Sequence, residues 1–149
     1  MCIRDRDKPL DAVVGTDEQG VLVAALAAAR LGLAHNPPEA VAATRDKTAM
    51  RGAFAAAGLR QPDYRVAGPD ADVAQLAGEV GLPCVVKAVS LSASRGVIRA
   101  NDPAAADVAA ERVRAILAEA GEDPQAPLLV ERYVPVSYTH LTLPTTPYV

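Results

Sequence analysis

The stretch between residues 82 and 100 concentrates the side chains that could do chemistry. Its first part, residues 84–87, is apolar and ends in Lys87, and its last part, residues 97–100, is a second β-type segment. The polar loop between them offers hydroxyls, a guanidinium and little bulk, from Ser90, Ser92, Ser94, Arg95 and Gly96. Such a loop suits a polyphosphate, because it provides many donors, two nearby cations and close backbone approach. It equally suits an ordinary hairpin with a polar loop.

Two further charged residues occupy positions that the local sequence does not favour. Lys47 follows Asp46, which can cap a helix, so its charge opposes the helix dipole by roughly a few tenths of a kcal/mol. Glu131 interrupts the apolar segment 128–134, and an acid in such a strand is rarely buried without a partner. Solvent exposure would explain both residues. A ligand that uses the ammonium of Lys47 and donates to Glu131 would explain them as well.

The patterning predicts an α/β chain in two parts. Residues 7–36 contain a β-α-β pattern, with strands at 11–15 and 33–35 and a helix that ends at Gly32. Thr16 or Asp17 is expected to cap this helix. Its buried stripe is predicted to consist of Leu22, Ala25, Leu26 and Ala29. Such a unit is typical of the closing piece of a doubly wound domain.

Residues 37–135 are predicted to form a second unit of strands and helices. Helical sequence runs from Pro38 to Ala57, with a fresh start at Asp46. Asp70 is expected to lie at the start of the next helix. The remaining predicted elements are strands at 62–66, 84–87, 97–100 and 128–134 and helices at 73–80 and 102–120. Alternation places Val85 and Lys87 on one face of their strand.

Composition and charge argue against several classes of function. The 149 residues carry a net charge of −3 and no basic run with interleaved aromatic residues, so nucleic acid is not expected as a partner. No apolar run approaches the roughly 20 residues that cross a bilayer, so no membrane partner is expected. Cys84 lies in an apolar strand, as a small buried hydrophobe does, and Cys2 provides no disulfide framework or zinc spacing with it. A reducing, cytoplasmic setting fits these features.

The two ends of the chain are related at the level of DNA. Codons can be chosen so that residues 1–5 and 136–140 are reverse complements, and Arg6 and Pro135 extend the match. An inverted repeat of this kind is typical of a sequencing-library transposon adapter, translated at both ends of a short insert. Residues 1–6 and 136–149 are therefore predicted to be adapter-derived, which leaves 7–135 as the authentic segment.

Four motifs, in this order and at suitable spacing, resemble the ATP-grasp superfamily of carboxylate–amine and carboxylate–thiol ligases. They are Asp46-Lys47, Val85-Val86-Lys87, the loop 90–96, and Val130-Glu131-Arg132-Tyr133-Val134. The nearest likeness is to the biotin-carboxylase-like and amino-acid-ligase-like branches. The resemblance implies that residues 7–36 end a Rossmann-like pre-ATP-grasp domain. Residues 37–135 would then form the N-terminal lobe of the ATP-grasp domain, a small, mostly antiparallel sheet with helices, and the C-terminal lobe would be missing.

By that resemblance the parent protein is an ATP-dependent ligase that uses ATP and Mg²⁺. It would make an acyl phosphate from a small carboxylic acid, which an amine or another nucleophile then attacks, and a homodimer of the parent is compatible with it. Lys47 and Lys87 would contact the phosphates, and the loop with Ser90, Ser92, Ser94, Arg95 and Gly96 would fold over them as a lid. Glu131 would accept a hydrogen bond from the adenine amino group. The backbone of Arg132, Tyr133 and Val134 would read the adenine edge.

The sequence departs from the family pattern at several points. Ala88 stands where many members have proline, and the loop is richer in serine than the usual version. The magnesium ligands and the catalytic arginine of the family lie beyond Val134, so no metal or catalytic residue is assigned and the segment alone is expected to be inactive. Two alternatives remain: a non-catalytic nucleotide- or small-ligand-binding α/β module, and a structural fragment in which Lys47, Lys87 and Glu131 are solvated.

Overall fold

A computed structural model describes residues 9–135, which fold as helices packed on an antiparallel sheet. The elements follow one another as α1 (Gly20–Arg30), α2 (Pro38–Arg45), α3 (Lys47–Ala56), β1 (Tyr64–Ala67), α4 (Val73–Val80), β2 (Cys84–Ala88), β3 (Val97–Ala100), α5 (Pro103–Glu119) and β4 (Leu128–Arg132). The segments predicted to be adapter-derived, 1–6 and 136–149, lie outside the described residues. Within 9–135, no helix is both long and apolar enough to cross a bilayer.

The four strands of the described chain form one sheet in the order β1-β4-β2-β3, with every neighbouring pair antiparallel. β4 is last in sequence, yet it lies inside the sheet between β1 and β2. The register sets Val85 opposite Glu131 and Lys87 opposite Leu129. Because side chains alternate along a strand, Lys87 and Glu131 lie on the same face. The predicted α/β class with a small antiparallel sheet is confirmed.

The opposite face of the sheet forms the hydrophobic core with α4 and α5. Its fully buried side chains come from both layers and include Cys84, Val86, Val130, Val113 and Leu117. Burial of each valine or leucine of this kind contributes roughly 1.5–3 kcal/mol. The Cys84 thiol is free and buried, as expected for a small hydrophobe, and burial raises its pKa. Helices α4 and α5 thus cover one face, and the other face, with Lys87 and Glu131, contacts α3 through Arg51.

The predicted β-α-β unit is wrong in its strands. Residues 11–15 and 33–35 are irregular, and only the helix between them, α1, forms. No described strand lies beside either segment, and a strand needs a neighbour to complete its backbone hydrogen bonds. The predicted buried stripe is correct for Ala25 and wrong for Leu26, which is exposed, while Leu22 and Ala29 are half-buried. Helix α1 packs against α2 and buries Ala24, Ala25 and Ala28.

The observed starts and ends of the helices agree better with the sequence-based predictions than the strands of residues 7–36 do. Asp17 Oδ1 accepts from the N–H groups of Gln19 and Gly20 at the start of α1, at 2.8 and 2.6 Å. The helix ends at Arg30, and Gly32 just beyond it has a φ of +68°, in the left-handed region where glycine is favoured. The glycine stop was predicted. Asp17 was one of two predicted caps, and its carboxylate does bond to the start of the helix, but the residue at the N-cap position is Gln19. The α4 cap, in contrast, is Asp72 rather than Asp70: its Oδ1 accepts from Gln75 N at 2.8 Å.

Strand boundaries shift by one or two residues from their predicted positions. β1 begins at Tyr64, because Pro62 has no N–H with which to join a ladder. β2 extends to Ala88, whose N–H donates to the Gly96 carbonyl at 2.9 Å. β4 ends at Arg132, two residues before its predicted end.

Candidate functional site

Helix α3 presents two cations toward the sheet. Lys47 and Arg51 are four residues apart, so both side chains lie on the same face of the helix. The predicted cap fixes where this helix starts, since Asp46 Oδ1 accepts from Thr48 N at 2.7 Å and Ala49 N at 2.9 Å. A cap of this kind contributes about 1 kcal/mol to helix stability. The Asp46 carboxylate therefore positions both cations through the helix backbone.

Lys47 joins α3 to the start of the polar loop. Its Nζ donates to the carbonyl oxygens of Val89, at 3.1 Å, and Leu91, at 2.5 Å. Burial lowers the pKa of Lys47, although the carboxylates of Glu18 and Asp46 act in the opposite direction. The half-buried ammonium is thus held against the loop by backbone carbonyls rather than solvated.

Glu131 lies at the centre of a charged cluster on the face of the sheet opposite α4 and α5. Its side chain is 3% exposed, and no other polar or charged side chain among the described residues is buried to this extent. Oε2 accepts from Arg51 Nε at 3.0 Å and from Arg51 Nη2 at 2.5 Å, while Oε1 forms an ion pair with Lys87 Nζ. Each carboxylate oxygen therefore has its own cation. The alternative of a structural fragment with solvated Lys47, Lys87 and Glu131 does not fit the structure, because Lys87 and Glu131 partner each other and Lys47 donates to backbone carbonyls.

The surroundings of Lys87 disfavour its charged form. Burial first, and then the positive charges of Arg51 and Lys47, together lower the pKa of Lys87 to about 8. Three cations thus share one face of the sheet with a single buried acid. A site with this excess of positive charge is suited to an anion with several negative charges.

A cleft of about 740 Å³ opens beside these cations. Its lining comes from the segment 15–18, from α2 and α3, from β2 and from the polar loop, and includes Lys47, Lys87, Ser90, Ser92 and Ser94. A volume of this size falls within the range of pockets that bind small molecules. Arg45 also lines the cleft and forms an ion pair with Glu18 at 3.6 Å. The cleft therefore gathers two lysines and three hydroxyls that sequence analysis had assigned to phosphate binding.

The polar loop is held in an unusual backbone shape. Ala93 and Ser94 have φ values of +54° and +59°, which non-glycine residues adopt only at a cost. Gly96 has a φ of +62°, and a Cβ there would lie 3.2 Å from the Ala88 Cβ atom. Gly96 therefore allows the loop to close against β2. Arg95, by contrast, is exposed and does not line the cleft.

The segment after Glu131 lies apart from the cleft. Tyr133 packs under the Arg99 guanidinium, whose centre is 4.3 Å from the ring centroid. The Arg132 and Tyr133 N–H groups donate to the carbonyls of Asp63 and Pro83, both at 2.9 Å. Arg132 and Val134 are exposed. The structure thus brings Lys47, Lys87, three serines and Glu131 together, while residues 132–134 form a separate, partly exposed edge.

Arg51, which contacts Glu131 across 80 positions of the chain, was not among the predicted site residues. Arginine side chains on helices are mostly exposed to solvent, so residue type alone did not indicate a role for Arg51. The available signal was its spacing from Lys47, because two cations four residues apart on one helix repel each other unless an anion lies nearby. Among residues 9–135, no group of three or more His, Cys, Asp or Glu side chains could hold a metal ion.

Comparison with solved structures places this arrangement in a known fold. An L-amino acid ligase from Bacillus licheniformis matches with a TM-score of 0.60 at 23% identity, over 87% of this chain and 28% of that chain. A RimK domain protein ATP-grasp from Sphaerobacter thermophilus matches with 0.56 at 24% identity, over 76% and 41%. A biotin carboxylase from Campylobacter jejuni, solved as its β-γ-ATP complex, matches with 0.66 at 20% identity, over 84% and 29%. The fold is that of part of an ATP-grasp enzyme.

Similarity in sequence to known proteins covers less of the chain than similarity in structure. No family model matches the chain. An uncharacterized protein of Sinorhizobium fredii is 43% identical over 65 residues, which are 44% of this chain and 14% of that protein. The chain therefore spans about a seventh of this curated relative and less than half of each of the three solved chains described above.

Proposed function

We propose that this chain forms part of the ATP site of an ATP-dependent ligase. The observation that carries the proposal is the shared cleft: Lys47, Lys87 and the loop serines come from three parts of the chain and line one cavity. An anionic ligand with several charged oxygens satisfies cations and hydroxyls so arranged. The fold likeness to a ligase and to a carboxylase solved with an ATP ligand supports the same conclusion.

In this proposal the cleft binds the triphosphate. Lys47 and Lys87 neutralise its charge and stabilise the transferring phosphoryl group, while the loop covers it with Ser90, Ser92, Ser94, Arg95 and Gly96. Closure of the loop would move Arg95 from its exposed position toward the phosphates. A closed loop excludes water from an acyl phosphate, which would otherwise hydrolyse.

The base would lie along β4, beyond the lysines. Glu131 accepts from its amino group, and the backbone of Arg132, Tyr133 and Val134 reads the adenine edge. Because the N–H groups of Arg132 and Tyr133 already have partners, this reading uses carbonyl oxygens of the segment and the Val134 N–H. Aromatic packing at Tyr133 would border the base.

The proposed reaction joins a small carboxylic acid to an amine or a thiol through an acyl phosphate. Mg²⁺ is expected with the nucleotide, but the described residues do not form a metal site, and no step is assigned to it. The buried free thiol of Cys84 fits a reducing, cytoplasmic compartment. The parent protein is proposed to contribute the remaining catalytic groups, and a homodimer of it is compatible with this arrangement.

Thermal unfolding of the 149-residue chain with and without Mg-ATP tests the site. A ligand at 100 times its Kd adds about 2.7 kcal/mol to stability, which raises Tm by roughly 5–10 °C for a chain of this size. Lys87→Ala is expected to remove most of this shift, whereas Arg112→Ala, far from the cleft on the exposed side of α5, is expected to retain it. No shift in the wild-type chain would contradict the proposal.

An ADP-release assay separates ligase parentage from simple binding. Residues 7–135 alone are expected to bind ATP without turnover, and turnover by this segment would contradict that expectation. In the parent protein, ATP binding without ADP release in the presence of acids and amines would favour a non-catalytic nucleotide-binding module.

A further inference from the structure

The two oxygens of the Glu131 carboxylate are held in different ways. Oε2 accepts two hydrogen bonds from one arginine, through Nε at 3.0 Å and Nη2 at 2.5 Å of Arg51. Oε1 contacts the single ammonium of Lys87. A planar guanidinium donates in a fixed fork, whereas an ammonium is a point charge on a flexible stem. The Oε2 contact is therefore rigid, and the Oε1 contact can be exchanged.

Access to Oε1 is controlled by Lys87. The Glu131 side chain is 3% exposed, Arg51 is 15% exposed, and Lys87 is 23% exposed and lines the cleft. If Lys87 turns toward phosphates in the cleft, Oε1 loses its cation while Oε2 keeps Arg51. Arg51 then keeps the carboxylate in place, with one acceptor oxygen open to a new donor.

We propose that Arg51 is a positioning residue that anchors Glu131 Oε2, so that on binding Oε1 alone passes from Lys87 to the amino group of a 6-aminopurine nucleotide. The proposal rests on the nucleotide site proposed above and names the device that would select its base. A carboxylate accepts from the 6-amino group of adenine and repels the 6-oxo group of guanine. Arrival of the phosphates frees the atom that reads the base, so phosphate binding and base selection are coupled.

Reactivity of Lys87 in the ligand-free chain tests the anchor without any nucleotide. The charged groups that face Lys87 are Glu131 on β4 and Arg51 and Lys47 on α3. Acetylation of Lys87 is followed by mass spectrometry as a function of pH. Arg51→Gln is expected to raise the midpoint of reactivity by roughly 1 pH unit, because a repelling cation is lost and Glu131 pairs with Lys87 alone.

Two further variants accompany this titration. Arg51→Lys keeps the charge and is expected to leave the midpoint near that of the wild type, and Arg112→Gln, in an exposed pair with Glu119, is expected to leave it unchanged. An unmoved midpoint in Arg51→Gln would overturn the anchoring role. A midpoint that moves equally in Arg112→Gln would overturn it too, since the effect would then not be local.

Base selection is measured by titration calorimetry with Mg-ATP and Mg-GTP. The wild-type chain is expected to prefer ATP by about tenfold or more, and Arg51→Gln is expected to lose most of that preference. Arg51→Lys, which lacks the fork, is expected to give an intermediate ratio of ATP to GTP affinity. If circular dichroism shows that Arg51→Gln is unfolded, the test uses Arg51→Lys in its place. A wild-type ratio in either Arg51 variant would overturn the base-reading role.

Failure of the nucleotide site would be recognised separately. If the wild-type chain binds neither nucleotide, the proposed function and the base-reading role both fall. The Lys87 titration still shows whether Arg51 acts on the pair of Glu131 and Lys87. If the chain binds ATP and GTP equally, the nucleotide site stands and the base-reading role is overturned.

Discussion

Glu131 can be buried because two cations from separate elements neutralise it. Arg51 on α3 and Lys87 on β2 reach it from different directions, and each contacts its own oxygen. Removal of one partner from a buried ion pair is costly, since the remaining charges stay out of water without compensation. The stability of the fold and the charge pattern of the site therefore depend on the same carboxylate.

Replacement of this carboxylate should destabilise the chain. Glu131→Gln keeps the shape of the side chain but leaves Arg51 and Lys87 facing each other without an anion. We expect a loss of about 3 kcal/mol in the free energy of unfolding, measured by urea denaturation. Glu119→Gln breaks a pair whose side chains are 57% and 62% exposed, and it should cost less than about 1 kcal/mol. Equal losses in the two variants would contradict the role given to Glu131.

Lys87 should make nucleotide binding dependent on pH. Its pKa of about 8 lies below the usual 10.5, chiefly through burial, and a bound triphosphate would raise it again. Between about pH 8 and the pKa of the complex, binding takes up a proton, so affinity falls as pH rises. Roughly tenfold weaker binding is expected at pH 9 than at pH 7, by calorimetry. Lys87→Arg should show a flat profile, and a flat wild-type profile would refute the assignment.

At the scale of elements, α3 connects stability with binding. The helix carries both Lys47 and Arg51, and its first turn is fixed by Asp46. Helix α4 offers a natural comparison, since Asp72 caps it in the same way but the helix packs on the opposite face of the sheet. Loss of either cap should therefore have similar effects on folding and different effects on the site.

Asp46→Ala and Asp72→Ala separate these two effects. Each variant is expected to lose about 1 kcal/mol of unfolding free energy, the usual value of an N-cap. Only Asp46→Ala should also weaken ATP binding, several-fold, because the frayed first turn contains Lys47. Thermal unfolding and calorimetry measure both quantities. Equal ATP affinity in the two variants would show that the α3 start does not position the site.

The elements that sequence analysis predicted best are those with strong local signals. β2 begins and β3 runs as expected, because β-branched residues flank a polar loop, and α5 begins at Pro103 after the cap Asp102, whose Oδ1 accepts from Ala105 N at 2.8 Å. Alternation along β2 also correctly placed Lys87 on the face opposite the Cys84 core. Local chemistry decides such features, so one sequence suffices to predict them.

Features that depend on distant partners were not predicted. Residues 11–15 have the composition of a strand, but no described strand lies beside them. Leu26 fits a helical stripe as well as Ala24 does, and only the packing of α1 against α2 decides which is buried. The Arg51–Glu131 contact likewise depends on tertiary structure, since nothing near either residue in sequence specifies the other.

At the scale of the whole molecule, the cleft lies between segments distant in the chain. Residues 15–18 line it on one side and residues 90–94 on another. Mg-ATP bound there should slow amide hydrogen exchange in both segments, and roughly tenfold protection corresponds to 1.4 kcal/mol of stabilisation. Exchange measured by mass spectrometry, with α4 as an internal reference, reports this. Protection confined to 90–94 would place the ligand on the loop alone.

The interior position of β4 has a consequence for synthesis of the chain. On a ribosome, β1, β2 and β3 emerge before residues 128–132, and β1 pairs with neither of the other two. The backbone N–H groups of β1 have no strand partner until β4 is made and inserts between β1 and β2. A nascent chain stalled before Leu128 should therefore hold a hairpin of β2 and β3 beside an unpaired β1. Addition of residues 128–132 then joins the four described strands and brings Glu131 to its two cations in the same event.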